Sequence, residues 1–279
     1  MSDGTISVKL LSDGIIKFDG GALFGQVPKA LWERSVEADR YNRVKLGLNC
    51  LLIQTQGQNL LVETGCGTKE PKKVKDIYSL GTSRLLRELK EHGLSPKEVH
   101  GVILTHLHFD HAGGCTRLDR SGTPVPTFPK ATYYVQRAAW EEATSPNERA
   151  RASYHPDDFL PLQEHAKLKL LDGDQQIAPG VWVKETAGHT RGHQIVVINN
   201  GGDRVVFLGD LVPTPMHLNL PYIAAFDYSP EDTLAKKRDL LQRAEREGWL
   251  LVFPHGEEER AGYLENVGGK RHLRPVQLE

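Results

Sequence analysis

Cysteine is scarce in this chain. Cys50, Cys66 and Cys115 are the only three in 279 residues. An odd, sparse set makes a poor disulfide framework and suits a reducing cytosol. None of the three forms a Cys-x-x-Cys pair. A charge excess of either sign is also missing: 35 Lys and Arg face 36 Asp and Glu, for a net charge of −1. Nucleic acid and anionic membrane surfaces select a clustered basic excess, so neither is an expected partner. No apolar run reaches the ~18 residues that a membrane helix needs. The opening stretch Met1 to Gly14 lacks a basic segment followed by an apolar one, so no signal peptide is read. A soluble, cytoplasmic protein is the expectation. Its 39% hydrophobic content suffices for a two-layer core.

Strand and helix patterns are interspersed along the chain. Residues 5–18 alternate loosely around Ser-Asp-Gly and predict a β-hairpin. Residues 19–43 mix Gly, Pro and aromatics and predict a long loop with one helical turn. Strands are expected near 46–54 and 58–63, then at Val99 to Leu104, Tyr133 to Val135, Val181 to Thr186, Ile195 to Ile198, Val205 to Leu208 and Leu250 to Phe253. Leu85, Leu86 and Leu89 at helical spacing predict a helix from Ser83 to His92, stopped by Gly93. Gln136 to Ala143 reads as another helix, and residues 144–165 as a polar surface excursion. Ser229, Pro230 and Asp232 mark the start of a further helix, with Leu234, Leu240, Leu241 and Ala244 on its buried side. No linker-like tract divides the chain. The fold class is therefore α/β, one domain over residues 1–279, with two sheets inside and helices outside.

Four places carry chemistry. The densest is Thr105-His106-Leu107-His108-Phe109-Asp110-His111-Ala112-Gly113-Gly114, with four potential ligands in six residues. In extended backbone His106 and His108 point the same way, and Asp110 and His111 diverge as the chain turns. Imidazole and carboxylate donors suit zinc and related first-row metals. One tetrahedral ion cannot comfortably take all four at this spacing, whereas two adjacent ions can share them. His189, Asp210 and His255 each follow a strand, and strand C-termini are where α/β sites assemble. Alone, each has a bland reading as a polar terminus or cap. The ordered constellation is what points to a metal site. His193 is read as supporting rather than ligating. His155, His165 and His217 are read as loop or surface residues rather than ligands.

This pattern resembles the metallo-β-lactamase fold superfamily over nearly the whole chain, and His-x-His-x-Asp-His is highly specific to it. The resemblance implies a single-domain αββα sandwich with metals at one edge between the sheets. By position, His106, His108 and His189 would bind one zinc. Asp110, His111 and His255 would bind a second, with Asp210 between them. Glu63 stands where the family's Asp-Thr-Gly turn has its acid. Asp19 to Gly25, Val27-Pro28-Lys29, Leu31-Trp32 and Thr105 to Ala112 are similar to quorum-quenching lactonases of the YtnP type. That likeness implies a zinc-dependent hydrolase with two Zn2+ per chain, iron, cobalt or manganese being alternatives. It would open an N-acyl homoserine lactone-like ring by attack of a metal-bridging hydroxide, with Asp110 passing the proton on. The partner would be a small-molecule ester or lactone.

Several lactonases of this kind carry a tyrosine where this chain has Pro213; His217 or Tyr222 could supply the missing donor. Phe109, Leu107 and the aromatics Phe24 and Trp32 could line an acyl groove or pack the core. Phe24 and Trp32 could equally meet a second subunit in a homodimer. Other ester, thioester (glyoxalase II-like) and phosphotriester hydrolases share the ligand set, and a non-catalytic metal-binding protein is the contrasting class. Lys270, Arg271 and Arg274 make only a weak basic cluster, which leaves the glutathione-thioester reading without its usual basic region.

Overall fold

The computed structural model describes residues 6–278. Its first half builds one mixed sheet from β1 (Ser7–Asp19), β2 (Arg43–Thr55), β3 (Gln58–Val62) and β4 (Gly101–Ile103). After a small ribbon of β5 (Thr116–Leu118) and β6 (Pro124–Pro126), β7 (Thr132–Gln136) and β8 (Leu168–Leu171) complete it. The order is β1-β2-β3-β4-β7-β8. The second half builds another sheet from β9 (Gln175–Ala178), β10 (Val181–Glu185), β11 (Gln194–Asn200), β12 (Asp203–Phe207), β13 (Leu250–Val252), β14 (Ala261–Val267) and β15 (Lys270–Pro275), running in consecutive order. Eight α-helices are described: α1 (Gly20–Phe24), α2 (Lys29–Trp32), α3 (Lys72–Tyr78), α4 (Leu85–Glu91), α5 (Phe109–Ala112), α6 (Arg137–Thr144), α7 (Pro156–Glu164) and α8 (Pro230–Glu247).

Alternation along the strands creates the layers. On β2, Leu51 and Ile53 face the other sheet, and Cys50 and Leu52 face α4, α6 and α7. On β12, Val205 and Phe207 join the same inner layer, while Val206 packs outward under α8. The result is an αββα sandwich with a dry middle layer, as expected. Among the described residues no helix is long and apolar enough to cross a membrane. Cys50, Cys66 and Cys115 are all buried and unbonded.

Several local expectations are corrected. Residues 7–19 are one continuous strand rather than a hairpin, paired along β2 with a register shift between Ser12 and Gly14. Ser-Asp-Gly is a bulge here: Asp13 turns inward, and its carboxylate accepts from the backbone N–H of Gly67, Arg84 and Leu85. Residues 144–165 contain α7, whose Phe159 and Leu162 are buried in the outer core. The 19–43 segment holds two short helices. Its Phe24 and Trp32 are 0% and 1% exposed, so neither is available to a second subunit. Leu234 is only half-buried on α8, where Thr233 and Lys237 face inward instead.

Candidate metal centre

Strand ends from both sheets converge at one edge. After β4, residues 104–108 stay buried and irregular, bending at Thr105, then α5 begins at Phe109. This brings the rings of His106 and His108 to 4.5 Å between centroids. Leu107, pointing the other way, is buried in the outer core. The helical turn of α5 then directs Asp110 and His111 to a neighbouring point. His106 Nε2 and His189 Nε2 lie 3.0 and 3.1 Å from His108 Nδ1. His111 Nε2 and His255 Nε2 lie 3.1 Å apart. Asp110 Oδ2 is 3.6 Å from His111 Nε2 and 3.5 Å from His255 Nε2. Asp210 spans the two groups. Its Oδ2 is 3.4 Å from His189 Nε2, and its Oδ1 is 3.4 and 3.3 Å from His111 and His255. Thus all seven candidate ligands meet, each buried.

Four of the five rings, those of His106, His111, His189 and His255, have a partner on the other nitrogen, a common arrangement for metal-binding histidines. Thr105 Oγ1 is 2.9 Å from His106 Nδ1. Asp227 Oδ1 is 2.8 Å from His189 Nδ1, and its Oδ2 accepts from Thr233 Oγ1 at 2.7 Å. The Gly47 carbonyl lies 2.8 Å from His255 Nδ1. Glu63 accepts from the Thr105 N–H at 2.8 Å with Oε1 and sets Oε2 3.3 Å from His111 Nδ1. His193 lies one step out: its Nε2 accepts from the Asp210 N–H at 2.9 Å, and Nδ1 meets Thr186 Oγ1 at 2.6 Å. The ring approaches so closely that a side chain at Gly209 would meet it at 2.5 Å, and Gly209 has φ +51°.

Imidazoles and carboxylates crowd together in this buried space and shift one another. Burial opposes the charged form of His111, His189 and His255, yet Asp210 and the other carboxylates raise all three. Burial, with its histidine neighbours, holds His106 and His108 well below the usual range. Burial alone would raise Asp210, but His111, His255 and His189 drive it well down. Asp210 Oδ1 and Glu63 Oε2 are buried without a hydrogen-bond partner. Pairs of imidazole nitrogens 3.0–3.1 Å apart place lone pairs on a common point, which a cation satisfies. The donor set of nitrogens and carboxylate oxygens fits zinc or a related metal.

A cavity of about 390 Å3 opens onto Asp110, Asp210, His108 and His255. Its walls are Phe18, Tyr78, Phe109 and Phe226, with Leu23, Leu46 and Pro213. Of the residues expected at the substrate, Phe109 lines this cavity. Phe24, His217 and Tyr222 do not, and their placement there is corrected. They cluster separately, Phe24 stacked on buried His217 at 5.4 Å and meeting the half-buried Tyr222 edge-on at 5.5 Å. Both His217 nitrogens are committed, to Thr214 Oγ1 and to the Leu23 carbonyl. His217 is therefore a core residue, neither a surface group nor a donor to substrate. His155 stacks on Phe109 at 5.1 Å and pairs with Glu70, beside a buried Lys69–Asp158 ion pair. Phe18, Tyr78, Phe226 and Asp227 carry no motif that sequence reading could have used. Asp227 sits just before the α8 cap, the only local hint of its position.

A family model described as the metallo-beta-lactamase superfamily matches residues 44–255. The chain belongs to the metallo-beta-lactamase superfamily. Its relatives within that superfamily include an N-acyl homoserine lactonase of Bacillus cereus, 27% identical over 235 residues, covering 79% of this chain and 86% of that one. A probable metal-dependent hydrolase from Staphylococcus aureus has the same fold at TM-score 0.90, with 31% identity over 100% of this chain and 99% of the other. AidC, a dizinc quorum-quenching lactonase solved with its product N-hexanoyl-L-homoserine, superposes at TM-score 0.80 with 18% identity, covering 99% and 96% of the two chains, and bears on the fold alone. The superfamily sandwich accounts for the convergence of the candidate ligands at one sheet edge, and the chain is a hydrolase of this superfamily related to lactonases.

Proposed function

We propose that this chain is a dinuclear metal-dependent hydrolase that opens the ring of N-acyl homoserine lactone-like substrates. The observation that carries the reading is Asp210, whose two oxygens reach separate histidine groups at 3.3–3.4 Å beneath an aromatic cavity. Similarity to N-acyl homoserine lactonases over most of both chains supports the substrate class. His106, His108 and His189 would hold one divalent ion; Asp110, His111 and His255 the other; Asp210 both. Zinc suits these donors, and iron, cobalt or manganese would be accepted by the same set. Such ions acidify a bound water toward neutral pH and polarise a carbonyl oxygen.

The protein's own groups do the rest. The aromatic wall excludes water and receives the apolar acyl arm. Asp110, which lines the cavity, would hold the proton that the leaving alkoxide needs. His193 fixes the Asp210 backbone, so the carboxylate does not have to be reoriented during the reaction. The test is metal analysis followed by rates on a homoserine lactone, an aryl ester, a glutathione thioester and a phosphotriester. The expected result is about two metal ions per chain and the highest kcat/KM on the lactone, lost on chelation. Activity indifferent to chelation would remove the metal mechanism; a thioester or phosphotriester preference would remove the lactone.

A further inference from the structure

A lactone carrying an acyl-amide arm brings two carbonyls into this cavity. One is at the ring, beside the ligand cluster. The other, in the amide, lies a short span of bonds away, toward the aromatic wall. A carbonyl buried there without a donor would lose its water and gain nothing. Most polar groups on that wall are already committed. Lys17 and Arg43 pair with Asp39. Tyr41 is 60% exposed, so water competes for the proton of its hydroxyl, whose oxygen accepts from Arg40. Ser153 lines this cavity as well as a neighbouring recess shared with Glu142, Asn147 and Arg149, and stands outside the aromatic wall.

Tyr78 is placed differently. Its ring is held between Phe18 and Phe109, at 5.1 Å from each. Phe109 is flanked in sequence by the candidate ligands His108 and Asp110, so Tyr78 stands one aromatic ring out from the cluster. Its hydroxyl has no hydrogen-bond partner among the described residues. α3, which ends in Tyr78, has no buried residue of its own. It is tethered by Arg43, whose Nη1 donates to the carbonyls of Asp76 and Ile77 at 3.0 and 2.6 Å. A short exposed helix is thus pinned so that its last side chain enters the cavity.

We propose that Tyr78 is a specificity-determining residue, its hydroxyl donating to the amide carbonyl of the substrate's acyl arm. The inference rests on the lactone reading above and adds the group that recognises the arm. Its test is Tyr78→Phe, which keeps the ring packing and removes only the hydroxyl. Two ligands are compared by calorimetry on the metal-loaded protein: ring-opened N-hexanoyl homoserine and 4-hydroxydecanoate, which has a chain but no amide. The matching lactones are compared by kcat and KM.

The expected result is a roughly tenfold rise in Kd and KM for the N-acyl compounds. Changes for the amide-free pair should stay under about twofold, with kcat and metal content as in the wild type. Equal losses on both pairs, or no loss on either, would overturn the role of Tyr78 while leaving lactone hydrolysis standing. A wild type that opens neither lactone would instead remove the functional reading, and the Tyr78 role with it.

Discussion

Asp210 does two jobs that no other residue in the site shares. One oxygen serves each histidine group, and its own backbone N–H is held by His193. Asp210→Ala should therefore reduce bound metal below two per chain and abolish most turnover while the sandwich stays folded. Turnover near wild type would rule out the two-ion mechanism. His193→Ala should act more gently, since its ring touches the Asp210 backbone rather than the ligand cluster. A loss of roughly 10–100-fold in activity or metal affinity, without collapse of metal content at saturating zinc, is expected.

His217 provides a prediction on pH. Burial, with help from Lys237 and against its bond to the Leu23 carbonyl and the charge of Asp210, pushes it down to about 3. A histidine with a depressed folded value binds fewer protons folded than unfolded. Its stabilising contribution is complete above pH ~6.5 and is lost as pH falls toward 3. His217→Gln keeps an amide to donate to Leu23 and does not titrate. The drop in melting temperature from pH 7 to pH 5 should be smaller in this variant than in the wild type. Identical drops would place the titration elsewhere.

At the scale of elements, α8 covers the second sheet and also locks the loop that carries His189. Ser229 accepts from the Asp232 N–H, and its own N–H donates to the Gly188 carbonyl at 2.8 Å. Gly188 lies so close to Thr233 that a side chain there would clash at 2.6 Å. Ser229→Ala should cost about 1 kcal/mol through the lost cap, seen as a fall of about 2–4 °C in melting temperature. An unchanged midpoint would mean that the cap bond carries no weight.

This helix was legible because capping chemistry is local: Ser, Pro and Asp sit at fixed offsets. The strands delivering His106, Asp210 and His255 were legible because β-branched and apolar runs are local too. The hairpin expected at 5–18 was not what formed. A Ser-Asp-Gly turn and a bulge look alike in sequence, and the choice fell to Asp13, which gains three backbone donors by turning inward. α7 escaped for a similar reason, since its polar first turn masks a face completed only by Trp140 and the outer core.

Across the whole molecule, the site is a clasp between two sheets. The His255 N–H donates to the Pro213 carbonyl, while the carbonyls of Pro254 and His255 accept from Asn49 and Gly47 on β2. The ligands beyond β4 belong to the first half and those at 189, 210 and 255 to the second. Metal binding there would therefore tie the halves together as well as supply chemistry. Removing metal should lower the melting temperature by roughly 5–10 °C, as a ligand at ~100 times its Kd adds about 2.7 kcal/mol. Readdition should restore it, and a midpoint blind to chelation would mean the clasp holds without a cation. Leu51→Ala, in the layer shared by both sheets, should cost about 2–5 kcal/mol, measured by denaturant unfolding.

The sequence by itself determined the α/β class, the four ligand-bearing segments and the kind of ion they suit. Ligand identity and strand patterning reside in side-chain chemistry and short periodicities, which need no knowledge of distant residues. Only the tertiary structure decided that Asp227 and the Gly47 carbonyl hold the candidate ligands His189 and His255, that Phe24 and His217 belong to the core, and that Phe18, Tyr78 and Phe226 form the cavity wall. Those roles depend on which surfaces two packed sheets bring face to face, a relation between residues far apart in the chain.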